Sequence, residues 1–276
     1  MMRETLALTR RELLRLSRNP QAIATSLLLP ILYLLLFGQA FNFGNLFQGN
    51  PAGLAQLVNG APTYFSYFAA GMAGFVAVTA TLFIGANVIF DRLFGVLKRI
   101  SSTPASAISI FGSRLLAGIL QPIGLAFLVL GLAIGLGRLG LSGLVVTASV
   151  GPVAVVQIVL AIVILSVMFA SLFLAIGFSI EQPQTYFAAV NAINLPVLLT
   201  SAALYPWGIL PAWMRGVASY NPITLAVEVI RLDLFSAAAP WYSQSAWVYL
   251  LRLFAWAIAM MFLATVLARR ALSPRN

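Results

Sequence analysis

The sequence predicts an all-α integral membrane protein with six transmembrane helices, and three observations support this class. Hydrophobic residues make up 61% of the 276 residues and charged residues only 8%, whereas soluble domains carry about 25% charged residues. The uncharged stretches are long enough for spans of about 20 residues, and the first runs from Arg18 to Asp91. Basic residues outnumber acidic ones by 16 to 6. In so hydrophobic a chain, this surplus indicates a membrane surface rather than nucleic acid as the partner.

Missing residue types exclude several kinds of chemistry. The chain has no Cys and no His, which excludes disulfides, thiol nucleophiles, Ser-His triads and most zinc sites. We therefore expect no catalytic residue, no metal site and no cofactor bound by this chain. The single lysine, Lys98, stands between Leu97 and Arg99, so the Gly-Lys-Ser/Thr end of a nucleotide-binding P-loop is missing. Energy from ATP would have to come from a second polypeptide.

The N-terminal segment, residues 1–20, is predicted to form an amphipathic helix at the cytoplasmic membrane surface. Leu6, Leu13 and Leu16 share one helical face, and three arginines share the opposite face. Pro20 ends this pattern. Alternatively, the basic residues serve only to set the topology. The three arginines are Arg11, Arg15 and Arg18.

Six long apolar stretches are predicted to span the cell membrane within one domain, residues 1–276. They are 21–41, 63–90, 108–136, 152–178, 185–205 and 246–268. The Gly-, Asn- and Pro-rich stretch 42–62 separates the first two. With both termini cytoplasmic, this map places most basic residues inside, as the positive-inside rule requires. A seventh span between Arg138 and Glu181 would instead place Arg269, Arg270 and Arg275 outside.

The loop between spans two and three, residues 91–104, is predicted to form a short cytoplasmic helix. Leu93, Phe94 and Leu97 fall on one side of it, and Thr103-Pro104 ends it. Such a helix can dock in the groove of a soluble partner, although an ordinary positively charged loop is the alternative. The candidate contact residues are Asp91, Arg92, Leu93, Phe94, Gly95, Leu97, Lys98, Arg99, Thr103 and Pro104.

The region after span five, residues 206–235, contains too many prolines for one continuous helix. We expect two short re-entrant helices, 211–219 and 222–235, that enter the outer leaflet without crossing it. Glu228 and Arg231 stand three residues apart, so their charges can partly neutralise each other. A Trp-anchored interfacial loop is the alternative. The candidate residues of this outer gate are Pro206, Trp207, Pro211, Trp213, Asn221, Pro222, Glu228 and Arg231.

Three sets of residues, taken in order, resemble one family. They are Arg18-Asn19-Pro20, then Gly95-Val96-Leu97-Lys98-Arg99 with Thr103-Pro104, and finally Leu210-Pro211-Ala212-Trp213 leading to Asn221-Pro222 and Arg231. With six spans, this order is similar to the membrane subunit of ABC-2 type exporters, such as those for drugs and polysaccharides. The resemblance covers almost the whole chain. One departure is Leu93-Phe94 before the glycine, where many relatives carry Glu or Arg.

The resemblance implies a homodimer or a pair with a paralogous permease, and a separate cytoplasmic ATPase subunit that binds ATP and Mg. It also implies export of a drug, lipid or polysaccharide along a central path that the outer gate closes. The apolar lining of the spans favours a lipidic or amphipathic cargo over a small ion, and the resemblance adds a glycan as a further class. Membrane lipids are further partners, and nucleic acid is not expected. The alternatives are an ion-coupled secondary transporter, which the few ionisable groups in the spans disfavour, and a channel subunit.

Overall fold

The structure of the protein, a computed structural model, describes residues 20–40, 58, 60–95, 107–235 and 245–272. Within these ranges it contains eight α-helices, a short 3-10 helix at Trp207–Ile209, and no strand. The α-helices are α1 Pro20–Ala40, α2 Tyr64–Leu93, α3 Ala107–Arg138, α4 Pro152–Ser179, α5 Pro183–Leu199, α6 Ala212–Tyr220, α7 Pro222–Phe235 and α8 Ala246–Leu272. The predicted all-α class is thus confirmed for the described part of the chain.

Four helical stretches in the described ranges are long and apolar enough to cross a membrane. They are Tyr64–Leu93, Gly118–Arg138, Pro152–Ser179 and Ala246–Leu267, and Leu27–Gly38 is a shorter apolar stretch. Such helices fit a membrane protein, because a span of the hydrocarbon core requires about 20 apolar residues. The number of six spans stays a prediction.

Local sequence signals place several helix ends. Thr63 begins α2, and its Oγ1 accepts a hydrogen bond from the backbone N–H of Ser66 at 3.1 Å. Gly95, with φ of +68°, follows the end of this helix, a conformation that glycine adopts without steric cost. Proline stands at the start of α4, α5 and α7, where its missing N–H has no intrahelical partner to lose.

The core of the protein lies around α2 and α4. Most of α2 is buried, and it packs against α1, α3, α4, α5 and α7. Its crossing with α4 is close, because a Cβ added to Gly85 would overlap the backbone carbonyl of Phe173, and one added to Gly177 would overlap the backbone of Gly85. Small residues thus let two apolar helices pack backbone against backbone.

The structure differs from the sequence-based boundaries at two places. Asp91–Leu93 form the last residues of α2 instead of the start of a separate loop helix, because α2 continues without a break to Leu93. The helix predicted over 185–205 ends at Leu199, since the Ala202 N–H donates to Thr224 Oγ1 rather than to the Leu198 carbonyl four residues back.

Some predicted features lie outside the described residues. One is the predicted N-terminal helix, of which residues 1–19 are not described, among them Arg11, Arg15 and Arg18. The other is the part of the predicted loop helix that contains Leu97, Lys98, Arg99, Thr103 and Pro104.

The close crossing of α2 and α4 gives a first prediction. Gly85→Ala should lower the free energy of unfolding by about 1–3 kcal/mol, because the new methyl group overpacks the crossing. Gly131→Ala is the matched control, since a Cβ there meets nothing within 4 Å. Thermal denaturation of both variants in detergent checks the difference, and equal melting temperatures would contradict this account of the crossing.

Candidate functional site

The turn that follows α5, residues 200–205, is bound by polar side chains of α2 and α7. The Tyr67 hydroxyl lies 2.8 Å from the carbonyls of both Ala202 and Tyr205, which share its single O–H donor. Thr224 in α7 accepts a hydrogen bond from the Ala202 N–H at 2.9 Å, and the Tyr64 hydroxyl donates to a further carbonyl of the turn at 3.2 Å. Irregular backbone inside an apolar fold needs such partners, and here they come from two different helices.

Arg231 in α7 lies at the centre of this polar cluster. Its Nη1 donates to Glu228 Oε1 and to the Ala202 carbonyl, both at 2.8 Å. Its Nη2 donates to the Ala203 carbonyl at 2.9 Å and to the Tyr67 carbonyl at 3.1 Å. The guanidinium carbon lies 3.4 Å from the centre of the Tyr67 ring, a cation–π contact. Arg231 therefore links α7, α2 and the turn.

The ion pair between Glu228 and Arg231 is buried, with side-chain exposures of 3% and 2%. The spacing of three residues predicts the pair but not this degree of burial. A buried pair of this kind is tolerated only when its hydrogen bonds are satisfied, and removing one partner costs about 3–5 kcal/mol because it leaves an unpaired charge. Glu228 and the carbonyls around Arg231 meet this requirement for Nη1 and Nη2, whereas the buried Nε has no hydrogen-bond partner among the described residues.

Backbone packing brings the turn against α2. A Cβ added to Gly71 would overlap the carbonyl of Ala203, so glycine is needed at this contact. Asn221 joins the end of α5 to the start of α7. Its Nδ2 donates to the Val197 carbonyl at 2.6 Å, and its Oδ1 accepts from the Ile223 N–H at 2.9 Å, which is the role of a helix N-cap.

The other predicted outer-gate residues occupy different surroundings. Pro206 and Trp207 begin the 3-10 helix, where Trp207 is buried. Pro211 precedes α6 and Pro222 begins α7. Trp213, by contrast, is 69% exposed on α6. The predicted outer-gate set thus divides into buried residues and two exposed ones, Pro211 and Trp213, at the start of α6.

A second polar contact, among α4, α7 and α8, was not predicted from the sequence. With its amide oriented to satisfy both neighbours, Gln157 of α4 donates to Asp233 Oδ1 at 2.9 Å and accepts from Trp247 Nε1 of α8 at 3.0 Å. The fully buried ring of Tyr67 is likewise absent from the sequence-based predictions. Nothing in the local spacing signals either role.

The opposite end of α2 carries part of the predicted contact surface. Arg92 donates from Nη2 to the Phe178 carbonyl at 3.1 Å and from Nη1 to the Ile180 carbonyl at 3.4 Å. This side chain therefore binds the last turn of α4, whose carbonyls lack helical partners. Leu93 and Phe94 are 60% and 75% exposed. They form an apolar surface beside the fixed end of α2, whereas Asp91 is buried.

Comparison with known proteins decides the family. Residues 3–235 match the family described as ABC-2 type transporter. The chain belongs to this family. The resemblance that the sequence motifs indicated is confirmed, and the protein is a transporter permease with membrane-spanning helices.

Relatives of the permease carry consistent names. It is 30% identical to ycf38 of Cyanophora paradoxa, a candidate transport permease by name, over 92% of this chain and 79% of the relative. Identity to ycf38 of Porphyra purpurea is 29%, over 83% and 73% of the two chains. DrrC of Mycobacterium tuberculosis, by name a candidate doxorubicin resistance ABC transporter permease, is 24% identical over 83% of this chain and 75% of its own length.

The polar cluster gives a second prediction. Tyr67→Phe removes the hydroxyl that lies against two carbonyls of the turn. It should lower the free energy of unfolding by about 1–3 kcal/mol, because the Tyr205 carbonyl loses its hydroxyl partner, whereas the Ala202 carbonyl keeps Arg231. Tyr220→Phe is the control, since Tyr220 is 70% exposed. Unfolding in detergent measures both, and a Tyr67→Phe variant as stable as Tyr220→Phe would show that the hydroxyl does not hold the turn.

Proposed function

We propose that the permease is the membrane-spanning subunit of an ATP-driven exporter. It moves an amphipathic, lipidic or glycan cargo out of the cytoplasm, paired with a second copy or a paralogue, in the cell membrane. A separate cytoplasmic ATPase, which binds ATP and Mg, supplies the energy to each permease. The observation that carries this proposal is the family match over residues 3–235. The name of DrrC, which describes an ABC transporter permease for drug resistance, supports the direction of transport and one class of cargo.

The proposed topology has six spans, α1 to α5 and α8, with both termini cytoplasmic. In this topology α6 and α7 form a re-entrant hairpin that enters from the outer side. The contacts of α7 with α2 support this arrangement. Arg231 lies near Tyr67, whereas Val227 and Ile223 lie near Gly74, so α7 runs antiparallel to α2 and its first residues lie farther from the start of α2.

A depth estimate follows from these contacts. Gly74 lies about 15 Å along α2 from Tyr64, at a rise of about 1.5 Å per residue. Trp256 of α8 donates from Nε1 to the Tyr220 carbonyl at 3.1 Å, and it also lies about 15 Å along its helix from Ala246. Because the hydrocarbon core is about 30 Å thick, both helices support a hairpin whose tip lies near the middle of the membrane.

The topology gives a third prediction. A reporter fused after Asn276 should be cytoplasmic and one inserted near Gly53 should be external, because basic residues concentrate in the segments assigned to the inside. Alkaline phosphatase and green fluorescent protein fusions measure the two sides. Two fusions that report the same side would contradict the six-span map.

The exposed end of α2 supports a contact with the ATPase. Leu93 and Phe94 present apolar side chains at the end that this topology places in the cytoplasm. An apolar surface of this kind fits a hydrophobic groove on a soluble partner. The coupling role of residues 91–104 is part of the same proposal.

A fourth prediction tests the proposed function directly. The purified permease should retain an ATPase subunit that hydrolyses ATP, and Phe94→Asp should lose both the subunit and the activity, because a charge in an apolar contact is costly to bury. Mass spectrometry and phosphate release measure the two quantities.

Leu139→Asp is the matched control, since Leu139 is 78% exposed but lies at the end of α3 that the topology places outside. It should retain the ATPase. A wild-type permease that binds no ATPase would overturn the proposed function, and equal losses in the two variants would remove the assignment of Phe94 to the contact.

A further inference from the structure

The two helices of the outer hairpin differ in how the rest of the permease holds them. We propose that α7 is a fixed part of the wall and that α6 alone is the moving flap of the outer gate. This inference rests on the proposed function, because only an exporter needs such a gate. It assigns the motion to one helix and the hinges to the prolines around it.

The first attachment of α7 lies near its start. Val227 and Ile223 pack against Gly74 of α2. A Cβ added to Gly74 would lie 3.9 Å from the Val227 Cβ and 3.9 Å from Ile223 Cγ2. Glycine at this position lets the two helices approach so closely. Sliding of α7 along α2 would separate this contact.

The second attachment is the Arg231 cluster. The guanidinium binds the Tyr67 carbonyl of α2 and the carbonyls of Ala202 and Ala203. A displacement of α7 would leave a buried cation without these acceptors, which is costly in an apolar interior. The cluster therefore resists motion of α7 away from α2.

The third attachment is at the end of α7, where the α3–α4 connector crosses it. We call residues 142–148 of this connector the outer strap. The N–H groups of Thr147 and Ala148 both donate to the Leu234 carbonyl at 3.1 Å, and the Thr147 hydroxyl donates to the Phe235 carbonyl at 3.0 Å. These bonds satisfy carbonyls in the last turn of α7, which have no helical partners.

The outer strap is itself fastened to the helices beside it. The Val145 N–H donates to Ser66 Oγ of α2 at 3.1 Å, and the Leu144 N–H donates to the Ala133 carbonyl of α3 at 2.9 Å. The end of α7 is thus tied through the strap to the start of α2. With three attachments along its length, α7 can move only together with α2.

Helix α6 is held much less firmly. One side of it contacts the protein, where Ala218 is buried and Met214 is half-buried. The other side carries Trp213, Val217 and Tyr220, which are 69%, 49% and 70% exposed. These three residues recur at helical spacing and form one exposed stripe. Lifting α6 would therefore uncover little apolar surface.

The segments that flank α6 allow it to swing. Pro206 and Pro211 precede it and Pro222 follows it, and proline has no N–H with which to continue a helical hydrogen-bond pattern. At the tip, the Tyr220 carbonyl accepts one bond from Trp256. Breaking that bond and rotating about these prolines moves α6 without disturbing the Arg231 cluster.

Cysteine labelling tests this assignment, because the natural chain has no cysteine. Val217→Cys reports on α6 and Leu232→Cys, at a half-buried position, reports on α7. Each is placed in the complex with its ATPase and treated with an impermeant maleimide, without nucleotide and with ATP plus vanadate. The labelling rate at Val217→Cys should change severalfold between the two states, and the rate at Leu232→Cys should not change.

A disulfide gives a second test. Gly74→Cys with Val227→Cys places the two Cβ atoms about 3.9 Å apart, within the range of natural disulfides, and the substitution at Val227 removes the methyl group that would collide with the new Cβ. Oxidation should leave the rate of ATP hydrolysis and its response to doxorubicin unchanged. In the control, Tyr220→Cys and Trp256→Cys joined by a bis-maleimide should lower both.

The outcomes separate the inference from the function on which it rests. A nucleotide-dependent change at Leu232→Cys, or a loss of hydrolysis on oxidation of the α2–α7 disulfide that reduction restores, would overturn the assignment of the motion to α6. No change at either labelled position in a complex that hydrolyses ATP would overturn the gate itself. If no ATPase binds the permease at all, the proposed function fails. Should Gly74→Cys prevent folding, the labelling experiment decides alone.

Discussion

The arrangement of the outer half of this permease depends on one buried cation. Arg231 lies in an apolar fold, where burying an unpaired charge costs a large free energy. The fold therefore has to place hydrogen-bond acceptors next to its guanidinium group. Glu228 provides one from the same helix, but the others are backbone carbonyls of α2 and of the turn after α5. The end of α5 at Leu199 lets this turn lie against α2 and α7, because the Ala202 N–H donates to Thr224 of α7 instead of continuing the helix.

Glycine on α2 makes this arrangement sterically possible. At Gly71 and Gly74 the backbone of α2 approaches the turn and α7 more closely than any side chain would allow, and Gly85 does the same for α4. Apolar helices gain no hydrophobic energy from leaving lipid, so close packing and interhelical hydrogen bonds have to supply the association energy. In this permease, close packing and interhelical hydrogen bonds both occur along α2.

Helix α2 also joins the two regions to which we assign function. Near its start, Tyr67 binds the turn that follows α5. Its last residue, Leu93, is followed by the exposed Phe94. Arg92 fixes this end of α2 to α4. Under the proposed function, one continuous helix of 30 residues connects the ATPase contact to the fixed wall of the outer gate.

The sequence by itself determined the features that depend on near neighbours in the chain. Apolar length predicts the long helices, prolines predict where α4 and α7 begin, and a spacing of three residues predicts that Glu228 meets Arg231. Only the tertiary structure decided how deeply that pair is buried, that Tyr67 binds the turn, that Gln157 joins Asp233 to Trp247, and that Arg92 binds the end of α4. These contacts join residues far apart in the chain, and their partners are often backbone carbonyls. Every residue has such a carbonyl, so no pattern of side chains can reveal which one a folded arginine or tyrosine will meet.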